Sequence, residues 1–289
     1  MKITVFTPTY NRAHIIENLY RSLQRQTFRD FEWLIVDDGS SDNTEEVFSD
    51  WQSEKNNFPI RYHKKQNGGK HTAINAALEL ARGELFFIVD SDDYLTDDAL
   101  QKVADWEAAL PKDGTYCGVA GNLGTSPTET PNRIFGGEYH EGTLLDRYCT
   151  VDGERAMVFY TDIHRKYLYP QYPGERFMTE AVAWNRMAHD GYKMRFYNDI
   201  IWVYEYQEDG LTKAGSQLFL NNPNGYGLWL REKTQFQHGS VRDTLKLWYS
   251  FACDLSSLYS GREIASFVGA PRLVIAAIIG LRKLTGRHP

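Results

Sequence analysis

Cysteine is scarce: Cys117, Cys149 and Cys253 are the only three in 289 residues, and no C-x-x-C pair occurs. That excludes a zinc ribbon and a dithiol redox motif, and it fits a reducing compartment in which buried thiols need no partner. Long apolar runs are absent as well. The longest, Leu273 to Leu281, has nine residues, where a helix crossing a bilayer needs ~20. Positive charge is in deficit, with 32 Lys and Arg against 38 Asp and Glu and a formal net charge of -6. A chain this acidic is a poor generic binder of polyanions, so no nucleic-acid partner is expected. The start, Met1-Lys2-Ile3-Thr4-Val5-Phe6, is apolar for too few residues to serve as a signal peptide and reads as a first strand. What stands in excess is aromatic: 14% of residues, with 18 Tyr and 7 Trp. Ten of those tyrosines fall between positions 138 and 206.

The first 120 residues alternate between short apolar strands and amphipathic helices. Strands are predicted at Ile3 to Phe6, Trp33 to Val36, Ile60 to His63, Leu85 to Val89 and Tyr116 to Ala120. Helical faces are marked by Ile15, Ile16, Leu19 and Leu23, by Val47 and Trp51, by Ala73 to Ala81, and by Leu100, Val103 and Ala104. Asp42-x-x-Glu45 reads as a capping box for the second helix. This alternation predicts an α/β fold, a mainly parallel sheet covered by helices on both faces. Ligands of such sheets lie beyond the carboxyl ends of the strands, and the polar clusters fall there. After Gly121 the alternation is lost, and Thr125 to Gly137 reads as a long loop.

Four clusters carry chemistry: Thr7-Pro8-Thr9-Tyr10-Asn11-Arg12, Asp37-Asp38-Gly39-Ser40, Asn67-Gly68-Gly69-Lys70-His71-Thr72-Ala73-Ile74-Asn75, and Asp90-Ser91-Asp92-Asp93. The second is also a good turn and nothing more is required of it. The third lacks the upstream glycine of a Walker loop, because position 64 is Lys64. Two glycines and a lysine at a helix entry still suit a phosphate. In the fourth, three carboxylates within four residues repel one another unless a cation joins them. Mg2+ or Mn2+ held by Asp90 and Asp92, with a diphosphate completing the shell, is the chemistry that answers this. The plainer alternative is an acidic helix N-terminus, since Thr96-Asp97-Asp98 follow.

Taken together, in this order and spacing, these clusters resemble the family 2 glycosyltransferases with the GT-A fold. The resemblance covers about the first 120 residues and implies a nucleotide-sugar donor, UDP-linked, lying across them. It places Thr7, Pro8, Tyr10 and Arg12 on the nucleotide and Asp38 against the base. Lys70 falls near the diphosphate, Asp90 at the ribose or the metal, Asp92 on the metal and Asp93 behind them. Glu175 to Arg186, followed by Gly191-Tyr192, looks like the family's acidic acceptor-side element. Aligned on Arg186 and Gly191, Glu180 takes the catalytic base's place, with Glu175 as competitor. Thr179 departs from the family's usual Glu. Tyr204 to Thr212 resembles a loop that closes over the diphosphate.

The resemblance therefore implies an inverting, metal-dependent transferase moving a sugar from a UDP-sugar to a saccharide acceptor, lipid-linked, in bacterial surface polysaccharide synthesis. A sugar nucleotidyltransferase or a non-catalytic sugar-binding module are the rival readings. The chain divides on this view into a nucleotide-sugar half (1–121), an acceptor and base half (122–215) and a helical extension (216–289). From Gly261 onward there are five basic residues and one acid, so that this tail carries +4 and the remainder -10. A helix from Arg272 to Leu284 would be roughly 20 Å long and cannot span a ~30 Å hydrocarbon core. It would either lie in an anionic headgroup layer or pack on the domain. A cytoplasmic protein, peripheral on the inner face of the cell membrane, is the corresponding expectation.

Overall fold

The computed structural model describes residues 1–146, 150–151, 153–206, 215–237 and 239–285. The chain forms two compact units, one of Met1–Leu168 with Met187–Glu208 and one of Tyr169–Arg186 with Asp209–Pro289.

The first unit is built on a nine-stranded sheet. Strands β1 (Ile3–Thr9), β2 (Phe31–Asp37), β3 (Ile60–Lys64) and β4 (Leu85–Ile88) are parallel in the order β3-β2-β1-β4. Helices α1 (Glu17–Arg25), α2 (Thr44–Ser53) and α3 (Lys70–Leu80) make the crossovers. The chain continues through β5 (Tyr94–Leu95), α4 (Ala99–Ala108), β6 (Tyr116–Gly124), β7 (Tyr139–Thr143), β8 (Arg155–Tyr160), α5 (Thr161–His164), α6 (Ala181–His189) and β9 (Lys193–Val203). β8 runs antiparallel between β4 and β6, β9 is parallel to β6, and both β5 and β7 pair antiparallel with β9. The sheet is thus mixed, with its parallel block confined to the first four strands and to β6 with β9.

Burial explains the strands. β2 and β6 are buried at every position and β1 at all but Pro8, as continuous apolar runs covered on both faces should be. Part of the aromatic excess is simply core. Trp33 lies among Tyr20, Phe48 and Trp51, with the Tyr20 and Trp51 rings stacked at 4.2 Å. The Asp42–Glu45 capping box does not form. α2 begins at Thr44, and Asp42 instead accepts from the Thr44 amide at 3.1 Å and the Ala13 amide at 3.2 Å. β1 is also longer than the apolar run suggests, so Thr7, Pro8 and Thr9 are strand residues paired with Ile35, Val36 and Asp37.

The second unit is helical: α7 (Gly215–Leu220), α8 (Pro223–Phe236), α9 (Val241–Leu255), α10 (Gly261–Val268) and α11 (Arg272–Thr285). Phe251, Leu255, Ile264, Val268, Ile275 and Ile278 form its small core. Ser240 and Ser260 open α9 and α10 with capping boxes to Asp243 and Glu263. α10 ends on Gly269 at φ 68°, a left-handed position that favours glycine, with Pro271 beyond it. The tail helix forms as expected, and Ile275 and Ile278 are its inward side. No helix among the described residues is long and apolar enough to cross a membrane.

Candidate active site

The carboxyl ends of β1, β2, β3 and β4 bring the four clusters of the first unit to one edge of the sheet. Thr9 pairs with Asp37, Asp38 donates its amide to the Thr9 carbonyl at 2.8 Å, and Val89 donates to the Phe6 carbonyl at 2.9 Å. The segments after β1 and β2 are clasped by Asn11. It adopts φ 55°, donates its amide to Ser40 Oγ at 2.8 Å and accepts from the Ser41 amide at 2.8 Å. Asparagine tolerates this left-handed backbone because its short amide bonds locally. Tyr10, next to it, is half exposed, and Arg12 follows.

Asp38 is buried, and its two oxygens shape the third cluster. They accept the Gly68 amide at 3.0 Å, the Gly69 amide at 2.6 Å and the Lys65 ammonium at 2.7 Å. A hydrogen bond from a base would have to use the lone pairs these contacts leave. Lys65 also reaches Thr72 Oγ1 at 2.7 Å. Sequence reasoning passed over Lys65, because no spacing signal separates it from the neighbouring surface lysines. Gly69 has φ 90°, and a Cβ on Gly68 would come within 2.7 Å of Thr72 Oγ1. The left-handed backbone favours glycine at 69, and a side chain at 68 would have to displace Thr72 at the tight entry to α3. Lys70 opens α3 and pairs with Asp90 at 2.7 Å, joining the third cluster to the fourth.

The carboxylates of the fourth cluster crowd one another. Burial and then the neighbouring Asp90 push the Asp92 carboxyl above the usual range. Asp93 is more buried, and burial, Asp90 and Asp92 push it up to about 8. It accepts from Trp202 Nε1 at 2.8 Å and from the Glu205 amide at 3.0 Å, which pins the turn to the end of β9. The reading of this cluster as a helix N-terminus fails, because β5 separates it from α4. Two mutually repelling carboxylates, whose repulsion outweighs the nearby Lys70 and Arg12 at Asp92, fit Mg2+ or Mn2+, which take one or two carboxylates and fill the remainder with water and phosphate oxygens. No group of three or more metal-ligating side chains is assembled among the described residues. Nearby, Thr9 Oγ1 and His71 Nδ1 are buried without a hydrogen-bond partner among the described residues, and burial pushes His71 down to about 4.

Glu180 and Glu175 belong to the second unit. Glu175 is committed elsewhere. Its carboxylate accepts the Asn224 amide at 2.7 Å, the Asn224 side chain at 2.8 Å and the Gly225 amide at 2.9 Å, capping the start of α8. Glu180 stands immediately before α6, where its carbonyl accepts from the Trp184 amide and the Tyr169 hydroxyl, each at 3.4 Å. Arg186 makes a bidentate pair with Glu232 of α8, at 2.7 Å through Nη2. Of the proposed closing loop, Tyr204 to Tyr206 are described, and 207–212 lie outside the described residues.

Known proteins resemble this chain in sequence and in fold. A 106-residue stretch, 36% of this chain and 18% of the relative, is 37% identical to poly(ribitol-phosphate) beta-N-acetylglucosaminyltransferase TarS of Staphylococcus aureus. A 101-residue stretch is 38% identical to GalNAc(5)-diNAcBac-PP-undecaprenol beta-1,3-glucosyltransferase of Campylobacter jejuni, covering 34% of this chain and 32% of that one. Such matches span between 10% and 35% of the curated relatives' own length. The fold matches the crystal structure of S. aureus TarS 1–349 in complex with UDP-GlcNAc at a TM-score of 0.60 and 18% identity, over 93% of this chain and 84% of that one. It also matches the mannosyltransferase PcManGT from Pyrobaculum calidifontis in complex with GDP-Man and Mn2+, at 0.58 and 18%, over 99% and 88%. The fold is therefore that of the GT-A glycosyltransferases. The family-wide pattern of Glycosyl transferase family 2 fits residues 4–170, more than half of the sequence, and the chain belongs to that family.

Proposed function

We propose that the protein is an inverting, metal-dependent glycosyltransferase that moves a sugar from a UDP-sugar to a saccharide acceptor. One observation carries this reading: Thr7 to Arg12, Asp38, Lys70 and Asp90 to Asp93 meet at the carboxyl edge of β1, β2 and β4, with Lys70 paired to Asp90 at 2.7 Å. In this reading Thr7, Pro8, Tyr10, Arg12 and Asp38 surround the nucleoside. Lys70 moves from Asp90 toward the diphosphate as donor enters and stabilises the charge that grows on the leaving nucleoside diphosphate. Asp90 and Asp92 would hold Mg2+ or Mn2+, which supplies Lewis-acid stabilisation of the same oxygens when bound.

Glu180 is the base in this scheme. It takes the proton of the acceptor hydroxyl as that oxygen bonds the anomeric carbon and the diphosphate oxygen departs on the opposite side. The cap made by Glu175 supports Glu180, since the Glu175 carboxylate is already engaged by Asn224 and Gly225 at the start of α8. A lipid-linked acceptor in bacterial surface polysaccharide assembly is suggested by the undecaprenol-linked substrate in the name of the Campylobacter relative. The basic apolar tail, placed at an anionic leaflet, agrees with such an acceptor. The test is sugar transfer with and without EDTA, and with Asp92→Ala and Glu180→Gln. Undiminished transfer under all three conditions would sink the mechanism.

A further inference from the structure

The tail is not the only membrane-suited surface in the helical unit. α9 has two adjacent apolar faces with different fates. One, through Leu247, Trp248, Phe251, Ala252 and Leu255, packs on the small core. The other lies beside that core: Val241 is 78% exposed, Leu245 43% and Tyr249 44%. Spacing of four places these three on one face over roughly 12 Å of helix. Arg242 and Lys246 stand beside them, and the five side chains line a single open groove.

This exposed face starts on a capped, formed turn of helix and not on a frayed end. Ser240 Oγ accepts the Asp243 amide at 3.2 Å, and Asp243 accepts the Ser240 amide at 3.2 Å in return. That capping box engages Asp243, which also pairs loosely with Lys246 at 3.8 Å. The other acid of α9, Asp254, lies at the far end of the helix. Charge identifies the occupant. The helical unit has 12 Lys and Arg against 7 Asp and Glu, whereas the sheet unit has 20 against 31. A second copy of so unevenly charged a unit would meet its own positive charge at this groove. An anionic surface with an apolar interior would satisfy both the cations and the apolar stripe.

We propose that the exposed face of α9 is an anionic-lipid docking surface, with Val241, Leu245 and Tyr249 entering the headgroup–acyl boundary and Arg242 and Lys246 meeting lipid phosphates. It extends the membrane reading of the tail but is carried by a different helix, and the two can fail separately. The experiment is co-sedimentation of the full chain with vesicles of phosphatidylcholine, with and without phosphatidylglycerol, at low and high salt. Binding is expected only with phosphatidylglycerol and is weakened by salt. Leu245→Glu and, separately, Arg242→Gln with Lys246→Gln should each reduce partitioning by roughly tenfold or more, with an unchanged far-UV spectrum and unchanged transfer to a soluble acceptor. Leu273→Asp on the tail tests the other reading. If that variant abolishes binding while the α9 variants keep full binding, the α9 surface is overturned and the tail stands. Loss of self-association in the α9 variants with unaltered vesicle binding would equally overturn it, and assign the groove to a second copy.

Discussion

The two compact units solve opposite electrostatic problems. The sheet unit carries 20 basic against 31 acidic residues, and the helical unit 12 against 7. In the sheet unit several carboxylates are buried and held in place by named donors. Asp38 takes two backbone amides and Lys65, Asp93 takes Trp202 and an amide, and Glu32 takes Thr4 Oγ1 at 2.8 Å and Arg61 at 3.0 Å. In the helical unit charge lies largely outside, and a small core leaves apolar residues uncovered at Val241, Leu258, Leu273 and Leu281. Composition averaged over the chain hides this division. An acidic protein can therefore present a basic apolar face, and the face is visible only once the units are separated.

The largest test of the contrast is catalytic, because each unit is assigned one indispensable acid. Asp92→Ala in the sheet unit and Glu180→Gln in the helical unit are each expected to lower kcat for transfer by roughly a hundredfold or more. Asp92→Ala should also erase the response to EDTA, and Glu180→Gln should leave donor binding intact in a thermal-shift titration. Next comes the difference between cores. Trp33→Ala, at the centre of the Tyr20–Phe48–Trp51 cluster, is expected to cost about 4 kcal/mol. Ile278→Ala, at the rim of the small core, should cost about 2 kcal/mol. Urea denaturation curves would read both, and equal costs would mean that the helical core is as tightly packed as the sheet.

A smaller expected effect is acid sensitivity of the sheet unit. Burial pushes His164 down to about 3 and His71 to about 4, from 6.5. Both folded values are depressed, so the unfolded chain binds protons first as the pH falls. The stabilisation is fully present above pH 6.5 and is lost progressively below it, roughly 2 kcal/mol for each histidine by about pH 5. His164→Phe should flatten that limb of the stability–pH curve. A curve unchanged between pH 7 and 5 in the parent protein would contradict the burial of both imidazoles. Glu107 acts only at lower pH. Burial opposes its ionised form, but Lys112, Lys2 and Tyr160 outweigh that and hold it at about 2, so its contribution fades from pH 4.5 downward. The smallest effect belongs to the helical unit: Ser240→Ala removes the α9 capping box and should cost about 1 kcal/mol, measured as a shift in thermal midpoint.

The first half of the fold was legible because its strands are short, continuously apolar and separated by helices, a pattern that only a covered parallel sheet explains. Thr7 to Arg12, Asp38, Lys70 and Asp90 to Asp93 could be picked out because each follows such a strand or opens a helix. The later strands were not legible for a physical reason. β8 is a buried six-residue run behind a long loop, and β9 mixes apolar and polar residues because it pairs with β6, β5 and β7 along different parts of its length. Neither has a periodicity that separates it from helix or loop. Lys65, the clasp of Asn11 on Ser40 and Ser41, and the bond from Trp202 to Asp93 arise from chain segments up to 109 residues apart. Local sequence holds no record of such pairings. The choice between Glu175 and Glu180 likewise depended on Asn224, 49 residues downstream of Glu175.

That same cap bears on how this protein can be cut and recombined. The helical unit is discontinuous in sequence, and residues 169–186 are stitched to the C-terminal helices by Glu175 on Asn224 and Gly225, by Asn222 on the Arg176 and Phe177 amides at 2.8 and 3.1 Å, and by Arg186 on Glu232. A truncation placed at the end of the sheet would strip every one of these partners from the segment that carries Glu180. Chimeras that exchange acceptor specificity between relatives should therefore move both pieces as one cassette. Grafting residues 169–186 alone would leave Glu175 and Arg186 facing a foreign helix.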